Sequence, residues 1–162
     1  MVGGNGSLTG DVERRLRELG IQLPAAPTPF GTYVEAAQTG NLLFLSGMLP
    51  VVSHIPKYVG RLGQELDVEA GRDAAITAAL GALAAVRQHL GSLNRVTRVV
   101  RLCVYLATAG AAVDQPRVAD AASDLFRDIF GAEKASARVI VGVASLPLNV
   151  PVELEVIFEV AT

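Results

Sequence analysis

Two rhythms of apolar and polar residues organise this chain. Across residues 136–160, "SARVIVGVASLPLNVPVELEVIFEV" steps in twos on either side of a break at 146–149, which predicts two β-strands. In the second of them Val152, Leu154, Val156, Phe158 and Val160 line one face, and Glu153, Glu155 and Glu159 line the other. Residues 95–107, "RVTRVVRLCVYLA", predict a further strand with Val96, Val100, Leu102, Val104 and Leu106 on one side. Upstream, a strand at 33–38, a turn at Thr39-Gly40-Asn41 and a strand at 42–46 read as a hairpin. Helical spacing takes over elsewhere. Ile76, Leu80, Leu83, Val86 and Leu90 recur between a capping Asp67 and a stop near Gly91. A second helix at 116–130 buries Val118, Ala122, Leu125, Phe126 and Ile129. A short helix at 11–19 carries Val12, Leu16 and Leu19 on one stripe and stops at Gly20. The proline-rich "LPAAPTPFG", residues 23–31, predicts an extended connector, and residues 51–63 a loop.

This order of helix, hairpin, helix, strand, helix and two strands predicts an α+β fold, a mixed sheet with two main helices on one face. A length of 162 residues fits one domain with a real core. Residues 1–10 read as a flexible lead-in, and the start carries no signal-peptide pattern.

Composition narrows the function. The 14 basic and 16 acidic residues leave a net charge of -2, which argues against a nucleic-acid footprint. Mean hydropathy is high at +0.40, yet the longest apolar run, 74–86, is too short to cross a bilayer. Such apolar content predicts a large subunit interface instead. The single cysteine, Cys103, forms no internal disulfide and reads as a buried, inert thiol, so a reducing cytoplasmic home is expected.

The common catalytic signatures are absent. His54 and His89 have no cysteine or carboxylate cluster around them, which predicts no metal site, and nothing suggests a triad. There is no P-loop and no aromatic-plus-basic strand for RNA. What stands out is Arg138, whose same-side strand neighbours are Ile140, Gly142 and Ala144. One reading pairs it with Glu155 or Glu159 or places it at an exposed edge. The other leaves it unpaired to receive an anion, because its planar fork matches a carboxylate.

From Thr32 onward, "YVEAAQTGNLLFLSGMLP", "RVVRLCVYLA", "ASDLFRDIF" and "ARVIVGVASLPLNVPVELEVIFEV" follow one another in the order of a known family. The chain resembles the RidA/YjgF proteins, also called endoribonuclease L-PSP-like, and its leading helix is similar to a longer subgroup. The resemblance divides the chain into residues 1–10, the helix and connector at 11–31, and a RidA-like domain at 32–162. It implies a chorismate-mutase-like subunit in a homotrimer, with sheets inside and a cleft at each subunit boundary. It further implies that Arg138 clamps a substrate carboxylate, that Glu153 handles a water molecule, and that Tyr33 and Ser46 line the cleft. Many members have a cysteine where this chain has Ile140, whose backbone can still serve the substrate. An asparagine common on the second helix is matched to Ser123, and Met48 follows the Ser-Gly pair where a polar residue is frequent.

The expected activity is hydrolytic deamination of reactive 2-enamine or 2-imine acids to 2-oxo acids and ammonia, with no metal or organic cofactor. The expected partners are a small carboxylate and further copies of the chain, without membrane or nucleic acid. The alternatives are a non-catalytic trimer that binds small carboxylates and, behind it, an endoribonuclease.

Overall fold

The computed structural model describes residues 11–110 and 113–162. The expected flexible segment 1–10 lies outside the described residues. Among the described residues, seven strands and three α-helices appear in the order α1 (Val12–Glu18), β1 (Ala36–Thr39), β2 (Leu42–Leu45), β3 (Val51–Val52), β4 (Ile55–Pro56), α2 (Val68–Leu90), β5 (Val96–Ala107), α3 (Gln115–Phe130), β6 (Ala137–Val143) and β7 (Val152–Val160). The α+β expectation holds: β1-β2-β7-β5-β6 form one sheet, and α2 and α3 cover one of its faces.

Local chemistry explains most boundaries. Asp67 Oδ1 accepts the Ala70 N–H at 2.8 Å to start α2, and Gly91 ends it at φ +81°, where a side chain would be strained. Asp114 caps α3, and Asp11 caps α1 through the Arg14 N–H at 2.9 Å. The α2 periodicity needs one adjustment. Its buried stripe is made chiefly of alanines, Ala74, Ala75, Ala78, Ala79, Ala82 and Ala85, while Ile76 and Leu80 are half-buried. Small side chains let the helix axis approach the sheet closely, so the larger residues fall to the flanks.

β5 joins its neighbours in two ways. It is antiparallel to β7 and parallel to β6, the α3 crossover supplying the length that a parallel connection requires. Register shifts between Val96 and Arg98 and between Val99 and Arg101 reset its alternation. Val99 is therefore buried and Val100 only half-buried, whereas Leu102, Val104 and Leu106 face the helices as expected. Residues 51–63 hold a small hairpin, β3-β4, inside what reads as loop. Its turn places Ser53 and His54 at φ +51° and +65°, values that non-glycine residues rarely adopt and that hid the hairpin from sequence rules.

The leading helix is tied down. The Glu13 carboxylate receives Arg87 Nη2 at 2.7 Å and the Leu93 N–H at 2.9 Å, while Val12 and Leu16 enter the core. Leu19 stays exposed. On the sheet face away from the helices, Phe44, Val139 and Val141 are exposed. No helix among the described residues is long and apolar enough to cross a membrane.

Candidate active site

Strand register separates the two leading residues. Across β5 and β7, Tyr105 pairs with Glu153 and Leu106 with Val152, so Glu153 shares the open face with Tyr105, Cys103 and Glu155. Across β5 and β6, Leu102 pairs with Arg138, and Leu102 is fully buried under the helices. Arg138, Ile140 and Gly142 therefore lie on the helix face of β6, and Glu153 lies on the opposite side of the sheet. One chain alone does not bring Arg138 and Glu153 together.

Glu153 forms the first corner. With Phe30, Gly31, Tyr33, Ser46, Gly47, Leu49, Pro147 and Leu148 it lines an open cleft of about 490 Å³. Its carboxylate lies so close to Gly47 that a Cβ there would sit 2.0 Å from Glu153 Oε1. The side chain is half-buried and has no hydrogen-bond partner among the described residues. Burial, assisted by the nearby Glu155 charge, holds its pKa above the ordinary glutamate value. Tyr33 and Ser46 stand in the same cleft with their hydroxyls partly committed. Ser46 Oγ donates to the Val34 carbonyl at 2.6 Å, which leaves its oxygen as an acceptor. The Tyr33 hydroxyl accepts the Phe30 N–H at 3.0 Å and keeps its own proton to donate.

Arg138 forms the second corner, and there the unpaired arginine expected from the sequence is corrected. Its Nη1 donates to Asp120 Oδ1 at 2.7 Å and to Ser123 Oγ at 3.1 Å, both from α3. The structural-pair reading had named Glu155 or Glu159, which lie on the other face of the sheet. Asp120 escaped notice because it lies 18 residues upstream, and only the α3 crossover brings it beside β6. The pair does not close the site. The Arg138 and Asp120 side chains are 27% and 51% exposed, and such an ion pair contributes about 0–1 kcal/mol. Among the described residues, Arg138 Nε and Nη2 carry no hydrogen bond, so a second edge of the fork remains for a carboxylate. Ile140 is half-buried on β6, an outer strand whose free edge has no strand partner among the described residues. Ser123, which stands where an asparagine is common in the family, accepts a hydrogen bond from Arg138 Nη1.

A neighbouring cavity of about 240 Å³ shares Phe30, Tyr33, Gly47 and Leu49 with the Glu153 cleft and is roofed by the proline connector. His54 stacks on Phe30 at 4.5 Å between ring centroids and bonds to Thr28, fastening that connector. Glu35, on the cavity wall, has its pKa raised by burial, with His54 opposing. Cys103 is buried and forms no disulfide. No group of three or more metal-ligating side chains occurs among the described residues.

Three comparisons place this arrangement among known proteins. Residues 13–160 match the sequence family described as "YjgF/chorismate_mutase-like, putative endoribonuclease". Protein TCP17 of Trypanosoma cruzi is 40% identical over 152 residues, 93% of this chain and 95% of that protein. A 2-iminobutanoate/2-iminopropanoate deaminase of Dermatophagoides farinae is 30% identical over 136 residues, 83% of this chain and 91% of its own. Among solved structures, protein Atu1372 from Agrobacterium tumefaciens, of unknown function, superposes with a TM-score of 0.85 at 37% identity, over 95% of each chain.

Proposed function

This chain belongs to the YjgF/chorismate mutase-like (RidA/YjgF) family, and from that premise we propose that it hydrolyses 2-imine acids at a site shared between two copies of the chain. The observation that carries the reading is the state of Glu153. A half-buried carboxylate without a hydrogen-bond partner among the described residues, its pKa raised above the ordinary glutamate value and its oxygen packed against Gly47, is suited to exchange protons with a bound water.

The chemistry needs little else. A 2-iminium acid already carries an electrophilic carbon. Glu153 takes a proton from water as the water oxygen bonds to C2, giving a carbinolamine, returns that proton to nitrogen, and takes up the hydroxyl proton as the C–N bond breaks, passing it to the departing ammonia. A 2-oxo acid and ammonium leave, and an enamine enters the same route after protonation at C3. The free edge of Arg138 holds the carboxylate, so that encounter becomes orientation. Tyr33 donates its remaining proton to substrate or water, and the backbone of Ile140 borders the bound molecule. Because Arg138 and Glu153 occupy opposite faces in one chain, the β6 edge of one copy meets the Glu153 corner of the next. The exposed Phe44, Val139 and Val141 supply apolar surface for that contact, and three copies close the ring with their sheets inside.

Mixing inactive chains tests this reading. Arg138→Ala and Glu153→Gln each remove turnover of freshly generated 2-iminopropanoate. Unfolded and refolded together in equal amounts, they regain about one quarter of native activity, the share of shared sites that holds both native residues. Recovery of nothing, from chains shown to co-assemble, rejects a shared site.

A second reading is favoured by the Arg138–Asp120 pair: the same trimer binds small carboxylates without turning them over. Carboxylate binding without acceleration of imine loss would select it.

A further inference from the structure

Glu153 has a second carboxylate as its neighbour, and that neighbour is held in place. Glu153 and Glu155 are two residues apart on β7, so both stand on the open face of the sheet, about 7 Å from each other along the strand. On β5, Tyr105 lies directly opposite Glu153 and Cys103 opposite Glu155. The Tyr105 hydroxyl does not bond to its direct partner. It donates to Glu155 Oε2 at 3.3 Å, the diagonal contact that an aromatic side chain can make across an antiparallel pair. Cys103 beside it, partial burial and Glu155 together push the Tyr105 phenol up to about 12, so it keeps its proton and remains a donor through the neutral range.

Two acids on one strand therefore meet different surroundings. Glu155 receives a hydrogen bond, whereas Glu153 receives none among the described residues and has Gly47 against its oxygen. Like charges on one face repel, and a proton is favoured on the carboxylate whose charge has no donor. The raised pKa of Glu153, set first by burial and then by the Glu155 charge, agrees with that order. We propose that Glu155, anchored by Tyr105, is a positioning residue whose charge keeps the exchangeable proton on Glu153, the carboxylate that faces the cleft. This inference rests on the reading above, in which Glu153 exchanges protons with water, and it adds the pair that sets the pH at which Glu153 does so.

The other charges facing this corner are engaged or stand apart. Arg98 gives Nη2 to the Glu133 carbonyl at 3.1 Å, and Glu159 is held by Thr97 and Asn41. Arg101 stands opposite Ile157 and makes no ion pair with either acid among the described residues. β6 brings only Ala137, Val139 and Val141 to the open face, and Tyr33 in the cleft accepts the Phe30 N–H. In the proposed shared site the Arg138 of the next copy adds a cation, itself paired with Asp120. It is common to native and variant chains and does not enter their difference.

Carbon NMR of protein labelled at the glutamate carboxyls follows Glu153 without any substrate, its signal assigned by its loss in Glu153→Gln. In Glu155→Gln the Glu153 midpoint is expected to fall by about one pH unit. Tyr105→Phe moves it the same way by less, and the double variant moves it no further than Glu155→Gln alone. In hydrolysis of 2-iminopropanoate the acidic limb of the pH profile of Glu155→Gln shifts down with the midpoint, and the plateau falls about threefold as the base weakens. A midpoint unmoved in folded Glu155→Gln overturns the proposal, as do shifts that simply add in the double variant. If Glu155→Gln does not fold, an unmoved midpoint in Tyr105→Phe overturns it instead. The two levels fail separately. A Glu153 midpoint that follows Glu155 in a chain without imine turnover keeps the coupling and rejects deamination, whereas turnover with an unmoved midpoint and limb rejects the coupling alone.

Discussion

The two corners of this subunit handle charge in opposite ways. At the Glu153 corner an acid is half-buried against a glycine, has no partner among the described residues and holds its proton more tightly than usual. At the Arg138 corner a base has a partner at 2.7 Å, close to solvent, on the other side of the sheet. The first arrangement costs folding free energy and the second contributes little to it. On the proposed function the contrast separates chemistry from recognition: the group assigned to proton exchange is set in a poor dielectric, whereas the group assigned to charge recognition stays where an ion pair opens cheaply.

Keeping the copies apart disables both corners at once on the proposed shared site. Val141→Asp sets a charge on the exposed apolar face of β6. Light scattering is expected to show monomers with an unchanged circular dichroism spectrum, and imine turnover falls to background because neither corner works alone. Activity in a verified monomer would mean that one chain holds a complete site.

Gly47→Ala acts on the Glu153 corner alone. The added methyl occupies the carboxylate position, and the flexible end of Glu153 swings away at small cost in stability. Turnover is expected to fall roughly 100-fold through lost positioning, with carboxylate affinity at Arg138 unchanged. Steady-state kinetics beside calorimetry distinguishes this from general damage.

The smallest effect lies in the pH dependence of stability. The pKa of Glu153 is higher in the folded chain than in the unfolded one, so folding takes up a proton between the two values. Its stabilising contribution is complete below the ordinary glutamate pKa and is lost as pH rises through the folded value. Glu153→Gln removes that slope. Denaturant melts across this window are expected to be flatter in the variant, and identical slopes would show that the carboxylate is not destabilised by its surroundings.

Much of this fold is legible in residue order. Alternation located β5, β6 and β7, and Asp67 and Gly91 bracket α2 because capping is decided by neighbours in the chain. The β3-β4 hairpin was not legible, since Ser53 and His54 accept backbone angles that turn rules reserve for glycine and asparagine. The site was half legible. Glu153, Tyr33 and Ser46 do line one cleft, while Asp120 and the commitment of Ser46 to the Val34 carbonyl were invisible.

Residue order alone fixes most of the elements, the apolar stripe of β7 and the presence of an arginine and a glutamate on two strands consecutive in the chain. Side-chain alternation and capping act over a few residues, so they can be read from order alone. Which face of the sheet each of those two residues occupies was decided only by tertiary structure. β6 is parallel to β5 and β7 is antiparallel to it, and their registers set Arg138 beside Leu102 and Glu153 beside Tyr105. A shift of one residue in either strand would have reversed that placement without altering a letter of the sequence.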